Sequence, residues 1–253
     1  MIKFAGQGIL LDIEGTTSSL TFVHDVLFPY ARRHLAAALR TLWGDPVMER
    51  VRQGLAELNS CKNFEEWTGG PGMPPEDRLK RMRLELIKLM DQDAKVGPLK
   101  EFQGLIWRQG YKDGTLRSHI YPELPRVLKE WKQLGKDVRI YSSGSIEAQK
   151  QFFKHVDNGT TDGADLTGYF KGYYDTTTGP KKEAQSYTRI VAEFGLPAGA
   201  ILFLSDVPAE LDAARSAGMK TGLMCRPGNL PVPETTEHPR LMTFDDVVFV
   251  SNN

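Results

Sequence analysis

A stretch of about a hundred residues with helical periodicity follows the first predicted strand, and it sets the strongest limit on the possible folds. Between residues 20 and 117, apolar residues recur every three or four positions, and almost no strand pattern occurs. Connections within compact domains are much shorter than this, so the stretch is too long for one crossover. It predicts an inserted bundle of helices. A separate N-terminal helical domain is the weaker alternative, because a strand precedes the stretch.

The rest of the chain alternates between short apolar runs and helical patterns. The runs predict strands at residues 8–13, 137–142, 200–205 and 220–225. The alternation predicts an α/β fold, with a Rossmann-like parallel sheet, flanking helices and an inserted all-helical domain. We therefore assign residues 1–19 and 118–253 to the α/β core and residues 20–117 to a helical cap.

Charge and cysteine content argue against several classes of protein. The 253 residues include 32 Lys and Arg and 32 Asp and Glu, so the formal net charge is zero. A neutral chain is a poor binder of nucleic acid or of anionic membranes through bulk electrostatics. The two cysteines, Cys61 and Cys225, are far apart and form no C-x-x-C pair, and no apolar window approaches 18 residues. We expect a cytoplasmic protein that binds neither nucleic acid nor membranes.

Polar residues follow three of the predicted strands, and a lysine precedes a predicted helix. Ligands of open parallel sheets bind at the carboxyl ends of the strands, so these residues are expected to meet there. Each alone has an ordinary structural explanation, such as a turn or a helix N-cap. Their joint occurrence in this order favours a functional site. The residues are Asp12, Glu14, Ser142, Lys181, Asp206 and Glu210.

The order of these residues resembles the motifs of the haloacid dehalogenase-like superfamily, which includes many phosphatases. The first motif of that superfamily, Asp-x-Asp-x-Thr, corresponds to residues 12–16. The second motif corresponds to Ser142 and the third to Lys181. The fourth corresponds to Asp206, with Glu210 four residues further on. The resemblance spans the whole predicted α/β core.

One departure from the first motif narrows the resemblance to a branch of the superfamily. Glu14 replaces the second acid, which is similar to the enolase-phosphatases, the acireductone synthases of methionine salvage. His24 departs from that branch, which often has Lys at this position. Further segments agree with the branch and extend the resemblance over nearly the full chain: residues 22–23, 25–31, 106–107, 110–111, 142–150 and 181–187.

The resemblance implies one Mg²⁺ per chain and a phosphatase reaction with a covalent intermediate. Asp12 would attack phosphorus, and Glu14 would protonate the leaving oxygen and then activate water. The side chains of Asp12 and Asp206 and the main-chain carbonyl of residue 14 would bind the metal. Glu210 would hold a metal-bound water.

The resemblance also implies the phosphate-binding residues and the substrate. The Ser142 hydroxyl and the amides of Ser143 and Gly144 would bind phosphoryl oxygens, and Lys181 would neutralise their charge. The substrate would be 2,3-diketo-5-methylthiopentyl 1-phosphate, which is enolised and then dephosphorylated to acireductone. The enolisation base would be Glu14 or a residue of the cap. The resemblance suggests that the protein is a monomer.

Three other functions stay open at the level of the sequence. The first is a phosphatase for another small substrate, such as a sugar phosphate or phosphoglycolate. The second is a dehalogenase that uses no metal, and the acid at position 14 argues against it. The third is a binding module without catalysis, although every expected catalytic position is occupied.

Overall fold

The computed structural model describes residues 1–157, 159, 164–232 and 235–250. The described residues belong to two compact units, Met1–Val23 with Arg117–Asn253 and His24–Leu116. The predicted core range also contains residues 158, 160–163, 233–234 and 251–253, which lie outside the described residues.

The first unit contains a parallel β-sheet. In chain order the strands are β1 (Ile2–Phe4), β2 (Gly8–Leu11), β3 (Asp137–Tyr141), β4 (Gly172–Tyr174), β5 (Ile201–Ser205), β6 (Lys220–Met224), β7 (Arg240–Leu241) and β8 (Val247–Phe249). Within the described ranges, six strands form this sheet in the order β4-β3-β2-β5-β6-β7, and β1 pairs with β8 separately, also in parallel. The predicted strands are confirmed as β2, β3, β5 and β6. The other strands have only two or three residues, too few for a periodic pattern to reveal them.

The helices divide between the two units. In chain order the α-helices are α1 (Leu20–Phe22), α2 (Phe28–Thr41), α3 (Pro46–Leu58), α4 (Phe64–Trp67), α5 (Pro75–Asp91), α6 (Gly97–Lys112), α7 (Leu124–Gln133), α8 (Ile146–Lys154), α9 (Ala184–Phe194) and α10 (Pro208–Ser216). Helices α2 to α6 belong to the second unit, and the others belong to the first. A π-helix, Val23–Leu27, lies between α1 and α2. No described helix combines the length and the apolar character that a membrane span needs.

The regular elements of the second unit, His24–Leu116, are all helices, as the periodicity predicts. Asp45 caps α3, because its side chain accepts a hydrogen bond from the Val47 amide at 2.9 Å. Helices α3 and α6 pack on each other, and Leu55 of α3 and Phe102 of α6 are fully buried. The apolar stripes therefore form the core of this unit.

The register of the sheet decides which residues lie at the same edge. Strand β2 lies between β3 and β5, and Leu11 pairs with Ile140 on one side and Leu204 on the other. All these strands are parallel, so their carboxyl ends lie at one edge. Asp12 follows β2 directly at that edge. Ser142 follows β3, and Asp206 follows β5.

Candidate active site

Asp12 is held rigidly at the end of β2. Its amide donates to the Leu204 carbonyl at 3.0 Å, which extends the pairing of β2 with β5 by one residue. Its Oδ1 accepts the Ile13 amide at 2.8 Å, and its Oδ2 accepts the Ser205 hydroxyl at 3.1 Å. Only 4% of the residue is exposed. The carboxylate is therefore buried and oriented through both oxygens.

Lys181 joins Asp12 to Glu210. Its Nζ lies 2.8 Å from Asp12 Oδ1 and 2.6 Å from Glu210 Oε2. Burial alone would lower the pKa of Lys181, but the Asp12 and Glu210 carboxylates outweigh it and raise the pKa. Burial and the nearby Asp12 raise the pKa of Glu210, although Lys181 opposes this. The ammonium group is charged and lies between two carboxylates.

The loop that carries Lys181 is fixed through its main-chain carbonyls. The Tyr187 hydroxyl donates to the Lys181 carbonyl at 2.7 Å, and the Tyr141 hydroxyl donates to Gly179 at 2.8 Å. The Ser186 hydroxyl donates to the carbonyl of Pro180 at 2.8 Å. Helix α9 and strand β3 thus position the ammonium group, which a motif alone does not reveal.

The turn after Asp12 winds around the Ile13 carbonyl. This carbonyl accepts the amides of Thr17 and Ser18, both at 2.9 Å. Gly15 has a φ of +68°, and a methyl group there would overlap the Asp206 carboxylate. The position therefore requires glycine for its conformation and for its close approach to Asp206. The same turn carries Glu14, which is half-buried.

Asp206 adds a further carboxylate to the site. Burial, followed by the negative charge of Asp12, raises the pKa of Asp206 to about 7. Among Asp12, Glu14, Lys181, Asp206 and Glu210 there are four carboxylates and one ammonium group. This excess of negative charge and oxygen donors fits a hard divalent cation such as Mg²⁺.

The predicted metal ligands include only two side chains. Among the described residues, no three His, Cys, Asp or Glu side chains are placed to hold a metal ion together. The predicted set consists of two carboxylates, Asp12 and Asp206, and the main-chain carbonyl of Glu14. Mg²⁺ is often bound by one or two carboxylates and keeps several waters, so this small set suits it.

The predicted phosphate-binding loop follows β3. The Ser142 amide donates to the Tyr174 carbonyl at 3.2 Å, and Ser142 is buried. Ser143 is exposed. The Gly144 amide donates to Ser142 Oγ at 3.3 Å, so it must leave this partner before it can bind a phosphoryl oxygen. Ser145 caps α8 by accepting the Ala148 amide at 3.3 Å.

Ser205 is a site residue to which the sequence analysis assigned no role. It is fully buried at the end of β5, and its hydroxyl lies 3.1 Å from both Asp12 Oδ2 and Glu210 Oε2. It also accepts the Val207 amide at 3.1 Å. Its position directly before Asp206 was the available signal, but a serine at a strand end is commonly a turn residue.

Comparison with known proteins assigns the family. A model of haloacid dehalogenase-like hydrolases matches residues 7–218. Enolase-phosphatase E1 of Pseudomonas aeruginosa (strain UCBPP-PA14) is 45% identical over 242 residues, which cover 96% of this chain and 98% of that protein. The chain belongs to the enolase-phosphatase family of haloacid dehalogenase-like hydrolases. The protein of the same name from Sorangium cellulosum is 42% identical, and the match covers 98% of this chain and 99% of that protein.

A solved structure shares the fold over nearly the whole chain. The crystal structure of the UTR4 protein from Saccharomyces cerevisiae is 34% identical, with a TM-score of 0.76. The match covers 95% of this chain and 99% of that one. The predicted α/β fold, the family resemblance and the assignment as a hydrolase are therefore confirmed. The roles of individual site residues stay predictions.

Proposed function

We propose that this chain converts 2,3-diketo-5-methylthiopentyl 1-phosphate to acireductone in methionine salvage, by enolisation followed by dephosphorylation. The observation that carries the proposal is the contact of Lys181 with Asp12 and Glu210 at one edge of the sheet. This constellation lies in a chain that is 45% identical to an enolase-phosphatase E1 over nearly its whole length.

Asp12 is assigned as the nucleophile of the dephosphorylation, which follows the enolisation. A carboxylate oxygen of Asp12 attacks phosphorus, and the bond from phosphorus to the ester oxygen breaks, which gives an aspartyl-phosphate. Lys181 and Ser205 hold the carboxylate in place before attack. Phosphoryl transfer depends on such positioning and on charge stabilisation.

Glu14 is assigned the proton transfers. It donates a proton to the departing ester oxygen and then removes one from the water that attacks the aspartyl-phosphate. That second attack releases inorganic phosphate and restores the Asp12 carboxylate. Glu14 follows Asp12 by two residues on the tight turn around the Ile13 carbonyl, which is the basis for this role.

Anionic oxygens of the substrate need positive charge and donors. Lys181 supplies the charge, and the Ser142 hydroxyl with the Ser143 and Gly144 amides supplies donors. Asp12, Asp206 and the Glu14 carbonyl would hold Mg²⁺, with Glu210 holding one of its waters. When bound, the ion supplies positive charge that allows an anionic phosphate to approach an anionic carboxylate.

The proposal extends to the organisation of the protein. We assign the helical residues 20–117 to a cap and expect one Mg²⁺ per chain in a cytoplasmic monomer. The substrate is a small phosphorylated diketone. The enolisation base is Glu14 or a residue of the helical cap.

The decisive experiment follows the two products together. The purified chain with Mg²⁺ and the diketone phosphate should give enol absorbance and inorganic phosphate. Release of phosphate from generic esters, but not from this compound, would reduce the function to that of another small-molecule phosphatase. Full activity after exhaustive chelation would contradict the proposed use of Mg²⁺.

A further inference from the structure

Two carboxamide side chains, Gln149 and Asn229, hold main-chain carbonyls at the carboxyl edge of the sheet. Gln149 Nε2 donates to the Gly144 carbonyl at 2.7 Å and to the Tyr174 carbonyl at 2.8 Å. Asn229 Nδ2 donates to the Gly15 carbonyl at 2.9 Å and to the Met224 carbonyl at 3.0 Å. In both cases one amide nitrogen uses its two hydrogens on two separate carbonyls.

The two carboxamide side chains connect corresponding parts of the sheet. Gly144 lies in the loop after β3, and Tyr174 is the last residue of the neighbouring strand β4. Gly15 lies in the loop after β2, and Met224 is the last residue of β6. Each side chain therefore ties a predicted catalytic loop to the end of another strand, beyond the regular hydrogen bonds of the sheet.

The side-chain oxygens of the two carboxamides contribute no hydrogen bond to the described part of the chain. Gln149 Oε1 and Asn229 Oδ1 are both buried and accept no hydrogen bond within the described residues. Leaving a buried acceptor without a partner costs free energy. Two donated bonds per side chain must offset that cost. The same arrangement recurs at both loops. This indicates that each side chain acts through its two donated hydrogen bonds.

We infer that Gln149 and Asn229 are positioning residues, which fix the phosphate-binding loop and the loop of Glu14 respectively. This inference rests on the proposed function of those loops. Gln149 sets the peptide that follows Gly144, in the turn that presents Ser142 and the Ser143 amide. Asn229 sets the peptide that follows Gly15, next to the Glu14 carbonyl predicted to bind Mg²⁺.

The test removes the donors without adding charge. Gln149→Met and Asn229→Leu keep similar volumes and lose both hydrogen bonds. The readouts are the rise in thermal unfolding temperature with Mg²⁺, and its further rise with inorganic phosphate at saturating Mg²⁺. A third readout is kcat and KM with the diketone phosphate. Misplacement of a reacting group by about 1 Å costs roughly 10²-fold, so we expect about 10- to 100-fold losses in kcat/KM.

The two variants should lose affinity for different ligands. Gln149→Met should weaken phosphate binding about 10-fold and leave Mg²⁺ binding unchanged, because it loosens only the phosphate-binding loop. Asn229→Leu should weaken Mg²⁺ binding about 10-fold and lower kcat. The matched controls Gln151→Met and Asn59→Leu remove amide hydrogen bonds to Glu147 and Leu55. Both controls should leave both affinities as in the wild type.

Several results would overturn the inference. One is a folded variant with wild-type kcat and both affinities within twofold. Another is an equal loss of both affinities in both variants, which would indicate general loosening. If either variant fails to fold, Gln149→Leu and Asn229→Ala, which also remove the donors and add no charge, decide the question in the same assays. A wild-type chain that binds Mg²⁺ and phosphate without consuming the diketone would refute only the proposed substrate.

Discussion

The two units differ in what they bury. In the helical unit, residues 24–116, the buried residues are apolar apart from Thr68 and Gln103. The α/β unit buries many more polar groups, including a carboxylate at Asp12 and another at Glu210. Apolar stripes are sufficient to hold helices together. At its strand ends, the α/β unit buries charged groups, and the burial of a charge does not by itself stabilise the fold.

This difference indicates where function conflicts with stability. A buried charge is unfavourable unless it is paired and hydrogen-bonded. Asp12 meets this condition through the Ile13 amide, Ser205 and Lys181. Asp206, whose pKa is raised to about 7 by burial and by Asp12, meets it less fully. We therefore expect changes in the α/β site to affect chemistry and changes in the helical core to affect folding.

The largest effect is expected for Asp12→Asn. The amide is nearly the same size but is a far weaker nucleophile, so phosphate release should fall by at least about 10³-fold. Circular dichroism should show an intact fold. The control Asp77→Asn, on the exposed face of α5, should be as active as the wild type. Turnover of Asp12→Asn at the wild-type rate would refute its assignment as the nucleophile.

Lys181→Met should have the next largest effect. It leaves the carboxylates of Asp12 and Glu210 without the cation between them and removes the charge that faces the phosphate. We expect kcat to fall about 10²-fold, the loss typical of one electrostatic contact in an active site. Steady-state kinetics test this against Lys182→Met, which alters an exposed neighbour. Equal kinetics of the two variants would contradict the role of Lys181.

Leu55→Ala tests the expectation that changes in the helical core affect folding. Leu55 is fully buried in α3, so its truncation should lower the free energy of unfolding by about 2–5 kcal/mol. The activity per folded molecule should change little. Chemical denaturation measures the first quantity and active-site titration the second. The exposed Leu58 on the same helix serves as control, since Leu58→Ala should cost less than about 0.5 kcal/mol. A large loss of kcat at unchanged stability would contradict the expectation that changes in the helical core affect folding.

The smallest effect is expected at the helical surface. Arg50 Nε lies 3.1 Å from Glu101 Oε2, with 61% and 40% of the side chains exposed. Arg50→Ala should lower the free energy of unfolding by at most about 1 kcal/mol, and less at high salt. Denaturation at low and high salt checks this. A larger loss that does not depend on salt would show that Arg50 stabilises the protein by packing and not by its ion pair with Glu101.

The sequence predicted the long elements well because their patterns are local. The stretch predicted as helical, residues 20–117, holds helices from Leu20 to Lys112, and strand β5, predicted over residues 200–205, spans Ile201–Ser205. Strands β4 and β7 were missed because two or three residues carry no periodicity. The roles of Gln149 and Asn229 were missed for another reason. Their partners are main-chain carbonyls, which leave no mark in the sequence.

Residue order alone therefore determined the fold class, the family resemblance and the set of chemically capable residues. Periodicity and motif spacing act over a few neighbouring residues, and both can be read along the chain. The tertiary structure decided which of these residues meet. Ser205 contacts Asp12 because β2 lies beside β5 in the sheet, and Lys181 reaches Asp12 from a loop that Tyr141 of β3 and Tyr187 of α9 hold in place. Contacts between groups more than 150 residues apart depend on strand order, which no local pattern contains.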